Sequence, residues 1–223
     1  MKKTIFKLMA ATMIVSAVFT SCNEPENNPA DNPENGNGNG NGNGNSSTTT
    51  DVGVVINGIK WATRNVDEPG TFTANPQDVG KYYQWNRKKA WASNGDVTGW
   101  DSSTPEGDTW EKANDPCPSG WRVPTQGEME GLMYTSSEWV RLNGMAGRLF
   151  SCGNYTLFLP AAGFRDGGEL VYRGSIGCYW TNRSYGNTQA QYGYFTSAQA
   201  RTFSVGHNLY RTDGFSVRCV KDE

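Results

Sequence analysis

Histidine is nearly absent: His207 is the one imidazole in 223 residues. A single imidazole excludes a histidine-rich metal centre and leaves Cys–His or Ser–His catalysis with one candidate base. None of the five cysteines stands in a C-x-x-C pair, which argues against a zinc site. Basic clusters are as scarce. Beyond the N-terminus the densest is Arg87-Lys88-Lys89, which reads as a solvated strand end or turn, so nothing points to nucleic acid as a partner. After the first twenty or so residues there is no long apolar run.

What is present begins with "MKKTIFKLMAATMIVSAVFTSC". Lys2, Lys3 and Lys7 precede a short apolar stretch from Leu8 to Phe19, the order of charge and hydrophobicity of a secretion signal over residues 1–21. Ser21-Cys22 then resembles the lipobox of bacterial lipoproteins, with Phe19 where that family usually has Leu. The resemblance implies cleavage before Cys22 and acylation of its sulfur, and so attachment to the outer membrane by a lipid, with palmitate among the acyl groups. Residues 22–50 carry no large apolar side chain and alternate Asn and Gly through their middle. Such a composition cannot bury enough surface to offset its ordering entropy, so a disordered, flexible linker spanning roughly 30 Å is expected. Glu24 and Glu26, just past the lipid cysteine, resemble a surface-export signal of Bacteroidetes lipoproteins and suggest display at the cell surface.

Residues 51–223 are of single-domain size and hold all eight tryptophans. Loss of the signal removes three lysines and leaves 17 basic residues against 22 acidic, a net charge of −5. Four cysteines remain in an oxidising compartment, Cys117, Cys152, Cys178 and Cys219, with three pairings open to them.

Hydrophobic periodicity orders the domain. "VVINGIKW" places Asn57-Gly58 between two short apolar runs and predicts a hairpin. "GKYYQW" predicts a strand. Residues 90–113 predict a long loop that Trp91, Trp100 and Trp110 pack down. Thr125 and Glu128 form a capping-box pattern, so a helix is predicted through "TQGEMEGLMY" with Met129, Leu132 and Met133 on one face; "SSEWVRL" predicts a second short helix. From Gly147 onward short β-rich segments alternate with Gly, Asn and Asp. The expected class is α+β, with an antiparallel sheet and one or two short helices.

Six segments in order, "NGIKWATRNV", "GKYYQW", "NDPCPSGWRVPT", "LPAAGFRDGG", "GCYWTN" and "FSVRCVKD", resemble the Fibrobacter succinogenes major paralogous domain over about residues 52–222. That family is common in secreted and lipid-anchored proteins and is similar in fold to C-type lectin-like domains. The resemblance implies two disulfides, Cys117 with Cys219 and Cys152 with Cys178. It makes "NDPCPSGWRVPT" a rigid structural joint. Cys117 is then no nucleophile, because a disulfide removes its thiol.

A binding module is the expected function, with carbohydrate as the candidate ligand and a surface protein as the alternative. Aromatic faces stack on sugar rings, while Asn, Asp and Arg bond to hydroxyls. Candidates in the loop-rich half are Arg165, Asp166, Tyr172, Arg173, Asn182, Arg183, Tyr185, His207, Asn208 and Tyr210. The "FRDGG" segment reads as a turn before it reads as a site. The Glu-Pro-Asn and Trp-Asn-Asp motifs of calcium-binding lectins are not at matching places, so no metal and no cofactor is expected. The acidic residues offer many carboxylate pairs and no selective one, so no enzyme is expected. A structural role in a surface complex or pilus, through exposed strand edges, is the second reading.

Overall fold

The computed structural model describes residues 48–203 and 209–222. The expected signal, Cys22, nearly all of the linker, His207 and Asn208 lie outside the described residues. Among the described residues no helix is long and apolar enough to cross a membrane.

Two hairpin strands open the domain, β1 (Val54–Ile56) and β2 (Ile59–Trp61). Asn57 and Gly58 turn between them with φ of 52° and 77°, the left-handed pair that a two-residue primed turn requires. Then come β3 (Tyr82–Gln84), β4 (Ala90–Trp91), a single 3-10 turn at Lys112–Asn114, and β5 (Trp121–Arg122). The one α-helix among the described residues, α1, spans Gln126–Met133. A three-stranded meander follows, β6 (Ser137–Leu142), β7 (Met145–Cys152) and β8 (Tyr155–Pro160), and then a hairpin of β9 (Phe164–Asp166) and β10 (Glu169–Val171). The chain closes with β11 (Gly177–Tyr185), β12 (Gln189–Phe195), β13 (Ala200–Phe203), β14 (Gly214–Phe215) and β15 (Val220–Lys221).

These strands form four antiparallel sheets, ordered β1-β2-β15-β5, β10-β9-β14-β3-β4, β11-β12-β13 and β6-β7-β8. The domain is therefore mostly β with one short helix, the α+β class expected. β15 lies between β2 and β5 and brings the last residues back to the first hairpin.

The segment "SSEWVRL" departs from expectation: it is strand β6, not a second helix. It pairs with β7 from Ser137↔Phe150 to Leu142↔Met145 around an Asn143-Gly144 turn with φ of 47° and 85°. The left-handed Asn-Gly pair dictates the reversal, and pairing with the long β7 overrides the weak helical spacing of Trp139, Val140 and Leu142.

Helix α1 starts as its capping box predicts. Thr125 Oγ1 accepts from the Glu128 amide at 3.3 Å, and Glu128 Oε2 accepts from the Thr125 amide at 2.6 Å. The Arg122 guanidinium grips the same carboxylate at 2.9 and 2.7 Å. Burial alone would raise the Glu128 pKa; the Arg122 fork and the Thr125 donors outweigh it and hold the carboxyl below its usual range. The helix buries Met129, Leu132 and Met133, and at Gly193 of β12 an added Cβ would meet the Met129 sulfur at 2.5 Å. Close approach of helix to sheet thus requires glycine there.

The joint is as rigid as its prolines suggest. Asp115 caps it, accepting from the amides of Cys117 at 2.8 Å and Val123 at 3.0 Å, and Cys117 is disulfide-bonded to Cys219. Trp121 is buried edge-on against Phe72, with ring centres 5.6 Å apart. The implied Cys152–Cys178 bond is overturned. Cys178 is a free, buried thiol on β11 in the cluster with Trp180 and Phe215, whereas Cys152 ends β7 in a separate cluster with Phe150 and Leu157. The two cysteines sit on strands of different sheets and in different cores. Cys152 is not a free thiol either, but Cys178 is not its partner.

Four arginines, Arg148, Arg165, Arg211 and Arg218, are buried and act as struts. Arg211 donates to the carbonyls of Gln189, Pro105 and Gly186 at 3.0, 2.8 and 2.6 Å while lying over the Trp85 ring. Arg218 clasps Asn65 Oδ1 at 2.9 and 2.7 Å and donates to the Ala62 carbonyl. A planar five-donor group suits the task, because it satisfies several buried carbonyls from one side chain. Burial lowers the pKa of all four, that of Arg218 to about 10.

Candidate binding cleft

Four stretches remote in sequence meet around a cleft of about 460 Å³: the loop between β2 and β3, the Ser93-Asn94 turn after β4, the tip of the β6–β7 hairpin, and Arg173. Each wall is fixed from below. In the β2–β3 loop the Lys81 amide donates to the Val66 carbonyl at 3.1 Å, and Gly80 (φ 71°) permits it: a Cβ there would stand 2.2 Å from that same oxygen. Asp78 Oδ2 closes the loop's turn, accepting from the amide and the side-chain nitrogen of Asn75 at 2.9 and 3.0 Å. At the hairpin tip Arg141 donates to the Gly144 carbonyl at 3.0 Å.

The turn that carries Ser93 and Asn94 hangs on Arg165. Its Nε donates to the Ala92 carbonyl at 2.8 Å, its Nη2 to the carbonyls of Gly95 at 2.8 Å and Asn94 at 3.4 Å, and its Nη1 to that of Gly168. Arg165 is 0% exposed. It was expected at the ligand surface. With its donors taken by main-chain carbonyls, it instead supports one wall of the cleft.

Arg173 is the predicted site residue that the fold brings into the cleft. Its Nη1 donates to the Ser93 carbonyl at 2.9 Å and to Asn94 Oδ1. The backbone that delivers it is constrained. Tyr172, 61% exposed and tilted against Phe164, adopts φ 57°, a left-handed conformation unusual for a bulky side chain. An added Cβ at Gly163 would meet the Val171 carbonyl at 2.2 Å and the Arg173 nitrogen at 2.6 Å.

The remaining candidates fall elsewhere. Asp166 is exposed at the mouth of the Gly167-Gly168 turn, which makes "FRDGG" the turn it was read as. Asn182 is held through its main chain, donating to Pro124 O and accepting from Trp110 N, both at 2.8 Å. Arg183 and Tyr185 are exposed further along β11, and Tyr210 is exposed beside Arg211, which reaches the Gly186 turn after β11. None of them lines the cleft. Residues that sequence reasoning passed over, Asp67, Asp78, Asn94 and Asn143, line the cleft. Only the Asn-Gly turn at 143–144 was a readable signal for any of them.

Two acids and a thiol stand in unusual surroundings outside the cleft. Asp213 is buried; desolvation, reinforced by Asp166 and opposed by the hydrogen bond from the Tyr210 amide, raises its carboxyl to about 7. Burial and the two amide donors act in opposite senses on Asp115, and burial prevails to raise it. Burial also pushes the Cys178 thiol far up, which leaves it protonated and inert. Among the described residues no group of three or more His, Cys, Asp or Glu side chains is placed to hold a metal ion.

No protein-family model, curated protein or solved structure matches this chain.

Proposed function

We propose that this chain is a lipid-anchored, non-catalytic binding module displayed at the outer-membrane surface, and that carbohydrate is its ligand. The polar cleft carries the reading. Asp, Asn, Ser and Arg groups from four stretches converge on a volume within the usual range of small-ligand clefts, and hydroxyls both donate to such carboxylates and accept from such amides and guanidiniums. A site built on braced loops suits recognition. The non-enzymatic part of the reading is supported by Cys117, the cysteine weighed as a nucleophile, being held in a disulfide. The resemblance to the Fibrobacter succinogenes major paralogous domain, and through it to C-type lectin-like folds, belongs to the same proposal, as does acylation at Cys22.

A glycan panel screened with the full exported chain tests the ligand class. Saccharide binding is expected, and Ala74→Trp, which fills the cleft from its own lining, is expected to abolish it. A panel without any saccharide signal overturns the carbohydrate reading. Co-purification with a surface protein that Ala74→Trp leaves intact would favour the assembly role, for which β6 offers an outer strand edge. Metabolic palmitate labelling should disappear in Cys22→Ser; label that persists removes the lipid anchor.

A further inference from the structure

Resting on that reading, we infer that the cleft selects an acidic saccharide and that Arg173 binds its carboxylate. The guanidinium lines the cleft and is secured through one nitrogen, Nη1, to Ser93 and Asn94. Among the described residues no protein acceptor takes its Nε or Nη2, and no carboxylate pairs with it. That remaining edge of the fork has the two-donor spacing that a carboxylate accepts in parallel.

The fold takes trouble to hold this residue. The left-handed Tyr172 precedes it, and the close approach at Gly163 fixes the main chain on either side of Tyr172. Backbone held in a sparsely populated region needs surroundings that enforce it, and such positions concentrate at ligand sites. The buried Arg165 braces the turn that in turn orients Arg173. A surface arginine with only a solvation role needs none of this support.

The opposite wall fits the rest of a sugar. Asp78 uses Oδ2 within its own turn, and Oδ1 has no protein partner among the described residues, so it is available to accept from a hydroxyl. A free monoanion without hydroxyls would meet Asp78 and Asp67 as repulsive neighbours. A hydroxyl-bearing ring with one carboxylate satisfies both walls, donating from a hydroxyl to Asp78 and accepting from Arg173 through its carboxylate. Among the described residues no aromatic side chain lines the cleft, so the selectivity argued here rests on Arg173 and not on ring stacking.

The probe pair is a galacturonic-acid trisaccharide and its galactose counterpart, which differ by a carboxylate against a hydroxymethyl on each ring. They are titrated calorimetrically into the full exported chain. The acid is expected to bind about 10- to 100-fold more tightly, the range that a charge-assisted, two-point hydrogen bond supports. Arg173→Ala should erase that preference, weakening the acid about 10-fold or more beyond its effect on the neutral sugar. Arg173→Lys, which keeps the charge and loses the fork, should restore only part of it and controls for misfolding. Equal affinity of the two sugars for the wild-type chain overturns the inference, as does undiminished acid binding by Arg173→Ala. Failure of both trisaccharides also overturns it. In that case Ala74→Trp-sensitive binding of other glycans would leave the broader binding reading standing, and a silent panel would end both.

Discussion

Cys117 and Cys219 are bonded across 102 residues of sequence, with their Cα atoms 6.1 Å apart. The bond joins the proline-rich joint ahead of α1 to the residue preceding β15, so the same pair pins the entry to the helix and the strand that closes the first sheet. A loop of this length loses much entropy when closed in the unfolded chain, about 4–5 kcal/mol in the chain-entropy account. The double variant Cys117→Ser, Cys219→Ser should therefore lose several kcal/mol in urea unfolding at neutral pH. A loss below about 1 kcal/mol would show that the hydrogen bonds of Asp115 alone hold the joint.

Arg165 and Arg173 make contrasting predictions although both stood in the same candidate set. Arg165→Met keeps much of the bulk but withdraws the donors from four carbonyls. Several of those carbonyls belong to an exposed turn and can recover water, so the expected cost is moderate, about 2–4 kcal/mol. Amide hydrogen exchange over residues 92–95 should accelerate in step. Arg173→Ala, at an exposed position, should shift stability by less than about 0.5 kcal/mol. Unfolding curves that rank the two the other way would reverse the assignment of strut and ligand contact.

Local patterns were legible where one short segment carried the whole signal. Asn57-Gly58 between apolar runs, and Thr125 with Glu128, announced a hairpin and a helix start that the fold contains. The same dipeptide turns β6 into β7 at Asn143-Gly144, yet "SSEWVRL" was expected to be a helix. Six residues are too few for periodicity to decide, and a partner strand supplies what the segment lacks. The disulfide of the joint came only from the resemblance, and the second pairing failed because nothing local says which core a cysteine will enter. The cleft was illegible for a related reason. Its walls come from residues 67–80, 93–94, 143–145 and 173, which no motif joins, and three-dimensional pairing alone makes them neighbours. Arg165 and Arg173 are eight positions apart with the same chemistry, and burial alone separates their roles.

Asp213 gives the fold a dependence on pH with a definite sign. It is buried, caps the Tyr210–Asp213 turn by accepting from the Tyr210 amide at 2.7 Å, and faces Asp166 as well as the inert Cys178 and Tyr192. Its carboxyl titrates at about 7 in the folded chain, against about 3.9 when unfolded. An acid raised on folding favours the protonated native state. Its contribution is therefore harmless below about pH 4, becomes progressively destabilising as pH rises toward 7, and is constant above that. Asn in its place still accepts the Tyr210 hydrogen bond and never ionises. Asp213→Asn should accordingly match the wild type in urea unfolding near pH 4 and exceed it at pH 8, by about 2–4 kcal/mol. A variant less stable than wild type at pH 8 would mean that the ionised carboxylate is stabilised in the native turn, contrary to its burial with no cationic partner among the described residues.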